Sequence, residues 1–204
     1  MICSIEHRDK RVGARAFTLV EVLVTVVVLS IATVLVIPSM GSTGVLRVQS
    51  AVRQTVADIT FAQSDAMAYQ SRRAIWFERV PVDPYATPWT FTVGNGYTLA
   101  EINGPLLDLN THAMFHPDDM AGPYARNFDL DRYGGARITS ASFDGDALLI
   151  FDELGGPVKG LTTEDSSDGG FVEIVGGTNN QWAFRIHVAP MTGRVSVERV
   201  AADD

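Results

Sequence analysis

The chain has a single cysteine, Cys3, so no disulfide can form within it, and thiol usage does not reveal the redox state of its compartment. Basic residues are scarce beyond the N-terminus. Residues 1–40 hold four bases (Arg8, Lys10, Arg11, Arg15) and three acids (Glu6, Asp9, Glu21). Taken from the totals of 16 bases and 24 acids, this leaves 12 bases against 21 acids from Gly41 onward, a net −9. Within that acidic part only Arg72 and Arg73 are adjacent, and binding to nucleic acid or anionic lipid needs clustered Lys and Arg. Nucleic acid is therefore an unexpected partner. There is no G-x-S-x-G, no Walker loop and no G-x-G-x-x-G, which removes the common signatures of hydrolases and nucleotide binders. A non-enzymatic role without cofactors is the expectation.

What is present begins with a long apolar run. Phe17 to Ile37 is 21 residues with Glu21 as its only charge. As a helix it spans roughly 31 Å, about one hydrocarbon core. Four bases precede it and none follows in "PSMGSTG", so the positive-inside rule places residues 1–16 in the cytoplasm and 41–204 outside. A cleaved secretory signal has a shorter apolar region and an A-x-A-type site, which this run lacks. Glu21 is the informative residue. An acid deep in lipid costs up to roughly 3 kcal/mol, so it is a functional candidate by default, although near the cytoplasmic end it could simply reach the headgroups. A cut before Phe17 would create an α-amine four residues from Glu21, on the same helix face. The amine of one subunit could then pair with Glu21 of its neighbour and set their axial register.

These residues carry a resemblance. "AFTLVEVLVTVVVLSIATVLVIP" resembles the class III signal of type IV pilins and type II secretion pseudopilins: a basic leader, a cut before Phe, the run F-T-L-[hydrophobic]-E, an apolar helix, and a proline where Pro38 stands. The resemblance implies that prepilin peptidase cleaves between Ala16 and Phe17 and methylates the Phe17 amine, that Glu21 sets subunit register, and that Pro38 kinks the helix. The family usually has Gly before the cut, and here the residue is Ala16. Cys3 would leave with the leader. The implied partners are other pseudopilins or pilins, the peptidase and the inner membrane.

Beyond Pro38, Gly41 and Gly44 helical periodicity resumes. Val45, Val48, Val52, Val56, Ile59, Ala62, Ala66 and Tyr69 form an apolar stripe, while Arg47, Gln49, Arg53, Gln54, Asp58, Gln63 and Asp65 fill the other face. This predicts an amphipathic stem helix ending near Arg73. Strand patterns follow: "RAIWFERV", "TFTVGNGYTLAEI" with a hairpin signal at Asn95-Gly96, two runs across Asp144-Gly145, then "GFVEIV", "QWAFRIHV" and "GRVSVERV". Residues 103–135 read as an irregular insertion, and loops of that length are often functional. The fold class expected is α+β: a long N-terminal helix, first transmembrane and then amphipathic, packed on an antiparallel head. "FAQSDAMAYQSRRAIWFE", "LLIFDELGGPVKG" and "RIHVAPMTGRVSVE" resemble the H-type minor pseudopilins of type II secretion and the related FimT-type minor pilins.

The expected organisation is thus a cytoplasmic leader (1–16), a transmembrane helix (17–40), a stem (41–73) and a periplasmic head (74–204), in a single-pass protein of the bacterial inner membrane. A minor pilin of a type IV pilus, including one serving DNA uptake, is the alternative, followed by a binding domain on an uncleaved signal anchor. Metal signals are weak. His112 and His116 have a zinc-like spacing only if helical, and Pro117 follows them; Asp129 and Asp131 lack the downstream acid of a calcium loop. His187 falls on the polar face of a strand and is expected in solvent.

Overall fold

The computed structural model describes residues 18–36, 43–117, 121–133, 135–176 and 181–200, the side chains of 32–36, 43 and 131 excepted. Two units divide between Gly41 and Ser42.

The first unit contains α1 (Leu19–Val36), 18 residues of almost unbroken Val, Leu and Ile. Two of its hydroxyls are satisfied internally: Thr25 Oγ1 donates to the Val22 carbonyl and Ser30 Oγ to the Val26 carbonyl, each at 2.8 Å. Bonding back to the preceding turn lets such residues sit in an apolar helix without water. Among the described residues no helix is long and apolar enough to cross a membrane. The expected span of 17–37 runs past both ends of α1, and Phe17, Ile37 and Pro38 lie outside the described residues, as does the leader with Ala16.

The second unit opens with α2 (Thr43–Tyr69). The helix stops four residues short of Arg73 because Gln70 adopts φ +50°, the left-handed conformation that ends helices, and Ser71 N–H closes on the Ala66 carbonyl at 3.2 Å. Arg73 instead starts β1 (Arg73–Pro81). The stripe is buried through Val48, Val52, Ile59, Ala62 and Ala66, whereas Tyr69 is exposed.

Two antiparallel sheets complete the unit. The first has the order β3-β2-β1-β5-β6 and the second β4-β7-β8-β9. The strands are β2 (Phe91–Glu101), β3 (Ala125–Asn127), β4 (Arg137–Phe143), β5 (Leu148–Phe151), β6 (Pro157–Val158), β7 (Gly170–Gly176), β8 (Trp182–Val188) and β9 (Val195–Val200). The chain is therefore helix followed by antiparallel sheet, α+β. Helix α2 packs on strands of both sheets, and the core lies among the three layers: Val48 and Ile59 from the helix, Phe77, Tyr97 and Leu149 from the first sheet, Val172, Ile174 and Ile186 from the second. Phe77 stacks on Phe143 with ring centroids 5.5 Å apart, joining the two sheets.

Two turn signals have different outcomes. Asp144 (φ +53°) and Gly145 (φ +98°) form the tight turn expected of them, with Phe143 and Asp146 exchanging hydrogen bonds of 2.7 and 3.1 Å. The strands on either side then part, β4 to one sheet and β5 to the other. Asn95-Gly96, by contrast, makes no hairpin: β2 runs through it as one strand against β1. Phe77 pairs with Tyr97 and Arg79 with Val93, so Glu78 (φ +59°) faces residues 94–96 across a bulge. Gly96 is needed there for space, since a Cβ would stand 1.8 Å from the Arg126 carbonyl oxygen.

Segment 103–135 is more ordered than an irregular insertion. It contributes a short helix α3 (Leu109–His112), edge strand β3 and a 3-10 turn (Asp131–Tyr133), and it buries Leu109, Tyr124, Phe128 and Tyr133.

Candidate functional site

The N-terminal motif is built at the start of α1. Thr18 precedes the helix, and its Oγ1 accepts the Glu21 backbone N–H at 3.2 Å. This is an N-cap: a hydroxyl satisfies one of the donors that the first helical turn leaves over. The T-L-V-E spacing is also that of a capping box, and Thr18 has a local helix-starting role that requires no neighbour. Glu21 sits in the first turn, where the helix dipole favours an acid. Its side chain is exposed, among exposed Leu19, Val20, Val22, Leu23 and Val24. Ala16, Phe17 and Pro38 lie outside the described residues, so the cleavage, methylation and kink positions have no described geometry.

A second constellation in the head was not legible as such. Asp58 is only 2% exposed, although its place on α2 assigned it to the polar face. Four side chains converge on its carboxylate. Tyr97 Oη donates at 2.8 Å, Tyr124 Oη at 2.9 Å, Arg126 Nε at 2.9 Å and Gln54 Nε2 at 2.9 Å. Tyr97 comes from β2, while Tyr124 and Arg126 come from the segment around β3. Asp58 thus anchors the 103–135 segment to the helix. Burial, followed by the Asp58 charge, pushes the Tyr97 hydroxyl well above its ordinary pKa, and the same two causes raise Tyr124. Burial works against the Arg126 charge, but its hydrogen bond and attraction to Asp58 prevail and hold its pKa above the usual guanidinium value. Arg126 also lies 5.2 Å from the Tyr124 ring centroid and 3.0 Å, through Nη1, from His116 Nε2. One signal for the burial existed: Ala51, Thr55 and Asp58 recur at helical spacing in a row that runs into Ala62 of the main stripe, and all four are buried.

A third convergence joins the three head segments that carried the resemblance. Gln63 Nε2, from "FAQSD", donates to the Gly155 carbonyl at 2.8 Å and to the Thr192 carbonyl at 2.9 Å. Gly155 (φ +81°) follows "FDEL" and Gly193 (φ +62°) closes "PMTG". The short motifs are turns held on one glutamine.

The histidines are engaged separately. His112 Nδ1 accepts the Asp108 N–H at 3.1 Å, and His116 contacts Arg126 and the Tyr124 ring. Asp129 Oδ1 accepts from Asn95 Nδ2 at 2.9 Å; the Asp131 side chain lies outside the described ones. His187 pairs with Glu198 at 2.9 Å on the surface of the second sheet.

Residues 11–37 match the family model of the prokaryotic N-terminal methylation motif, which is 27 of the 204 residues. No curated protein and no solved structure matches the chain. The matched segment contains Ala16, Phe17 and Glu21, and it supports a type IV pilin-like protein whose N-terminus is processed by prepilin peptidase and anchored in a membrane.

Proposed function

We propose that this chain is a non-enzymatic minor pseudopilin of the H type, a subunit of a type II secretion system in the bacterial inner membrane. The observation that carries the reading is the methylation motif at residues 11–37, with Glu21 placed in the first turn of an apolar helix. The apolar segment 17–40 anchors the subunit before assembly. Prepilin peptidase hydrolyses the Ala16–Phe17 bond, and the freed Phe17 amine accepts one methyl group from a methyl donor. The subunit then leaves the bilayer for a short periplasmic filament of pseudopilins. Glu21 aligns with the Phe17 amine of a neighbour, an ion pair strengthened by the low dielectric between packed helices. The head acts by shape and surface, with no chemistry of its own.

A type IV pilus could use the same parts, but the −9 charge beyond residue 40 disfavours the DNA-uptake form of that alternative. The test is the mass of the chain extracted from its native membrane. A chain beginning at methylated Phe17 is expected. One that keeps residues 1–16 refutes the assembly mechanism and favours a signal-anchored binding domain. Loss of protein secretion, with pili retained, on deletion of the subunit distinguishes secretion from pilus.

A further inference from the structure

A groove of about 790 Å³ runs beside β3. One wall is apolar: Pro81, Val82, Tyr85 and Leu130 line it, and the last three are 65%, 77% and 49% exposed. The other wall is β3 itself, with Arg126 and Asn127, followed by Arg132. Strand β3 ends its sheet and pairs with β2 alone. Its hydrogen-bond phase is set by Leu99 N–H to the Tyr124 carbonyl (2.8 Å) and Phe128 N–H to the Asn95 carbonyl (2.8 Å). In an antiparallel ladder of that phase, Arg126 faces β2, and the backbone of Ala125 and Asn127 faces away. The Ala125 N–H is taken by the Pro123 carbonyl at 2.8 Å. Among the described residues, the Asn127 N–H and both carbonyls have no backbone partner on the open edge.

Its described lining contains two charged side chains, Arg126 and Arg132, in a head that is otherwise strongly acidic, with Asp83 and Asp129 adjacent to lining residues in sequence. Arg126 is already matched by Asp58. Arg132 is exposed, its guanidinium 4.8 Å from the Tyr133 ring centroid, and it makes no ion pair among the described residues. An open strand edge recognises extended backbone, an apolar wall receives alternate side chains, and an exposed arginine attracts a carboxylate.

We infer that this groove binds an extended segment of a partner protein, added as a strand to β3, in which acidic and apolar side chains alternate. The partner's acid meets Arg132, and its apolar side chains lie against Val82, Tyr85 and Leu130. The inference does not depend on the secretion reading, because it rests on the head alone.

The probe is a set of fluorescein-labelled ten-residue peptides that alternate Val with Asp, Ser or Lys, titrated by anisotropy into the full chain in detergent micelles. The Asp peptide is expected to bind at least tenfold more tightly than the Ser peptide, and the Lys peptide not at all. Arg132→Glu, an exposed change that should leave the melting temperature unaltered, is expected to invert that order. Asp peptides N-methylated at every Val or at every Asp block opposite backbone edges, so one must bind and the other fail. Equal binding of the three compositions, indifference to Arg132→Glu, or equal binding of both methylated peptides overturns the inference. Self-association of the chain that Arg132→Glu abolishes, without peptide binding, also overturns it and assigns the groove to a second copy. Processing at Phe17, read by mass on the same sample, reports on the pseudopilin reading independently.

Discussion

Replacing Asp58 by Ala should be among the most damaging single changes in the head. Asp58 is 2% exposed, the Arg126 side chain 11%, and two tyrosine hydroxyls and one amide also point at the carboxylate. Truncation leaves a cation and several donors facing an empty space, and breaking a buried pair from one side costs about 3–5 kcal/mol. With a urea slope of about 2 kcal/mol/M for a domain of this size, the midpoint should fall by roughly 2 M. Asp58→Asn keeps the shape and one acceptor but turns an NH2 toward Arg126, for about 1–3 kcal/mol. The measurement is urea unfolding of the full chain in detergent, followed by tryptophan fluorescence, with hydrogen exchange of the Tyr124 and Arg126 amides as a local readout. The Asp58→Ala, Arg126→Ala cycle decides the cause. If the charge left behind is what costs, the double variant should be less destabilised than the two singles together by at least about 1 kcal/mol. A single-variant loss under about 1 kcal/mol, or additivity within about 0.5 kcal/mol, would refute the network as the anchor of the 103–135 segment.

Three further expectations follow from other parts of the molecule. Tyr97 and Tyr124 have raised pKa values in the fold, so the stability they carry is complete below the unfolded value near 10 and is lost as pH rises toward their folded values. Each tyrosine then contributes a slope of about −1.4 kcal/mol per pH unit, and ultraviolet titration should show both ionising together with unfolding; ionisation of both in a folded head would contradict this. Gly96→Ala forces a Cβ toward the Arg126 carbonyl and should cost at least about 1–3 kcal/mol while exposing β3 to exchange; a variant as stable as the parent would mean that the bulge relaxes freely. Glu21→Ala should leave membrane insertion intact and abolish co-purification with filament subunits, and normal incorporation would remove Glu21 from the assembly mechanism.

Local physics made some features legible in the sequence alone. The run from Phe17 to Ile37 and its lone acid need no tertiary context, because hydropathy, charge and spacing are properties of consecutive residues. The Asp144-Gly145 turn is of the same kind: its positive φ values belong to those two residues, so the turn formed, although the runs on either side, read as a pair, joined different sheets. The order of the later strands followed from alternation and turn residues in the same way. Where local information admitted two outcomes, the fold chose. Asn95-Gly96 suits a hairpin or a bulge equally, and the bulge prevailed because β1 pairs with β2 on both sides of it and β3 closes over Gly96. Asp58 looked like a surface acid because helical periodicity identifies a stripe but not how far around the helix the core extends. Its burial depends on Tyr97, Tyr124 and Arg126, which lie 39 to 68 residues away in sequence. Segment 103–135 became structured for the same reason. Its anchors are side-chain contacts to α2 and a short edge strand, and neither has a periodicity that a reading of consecutive residues can detect.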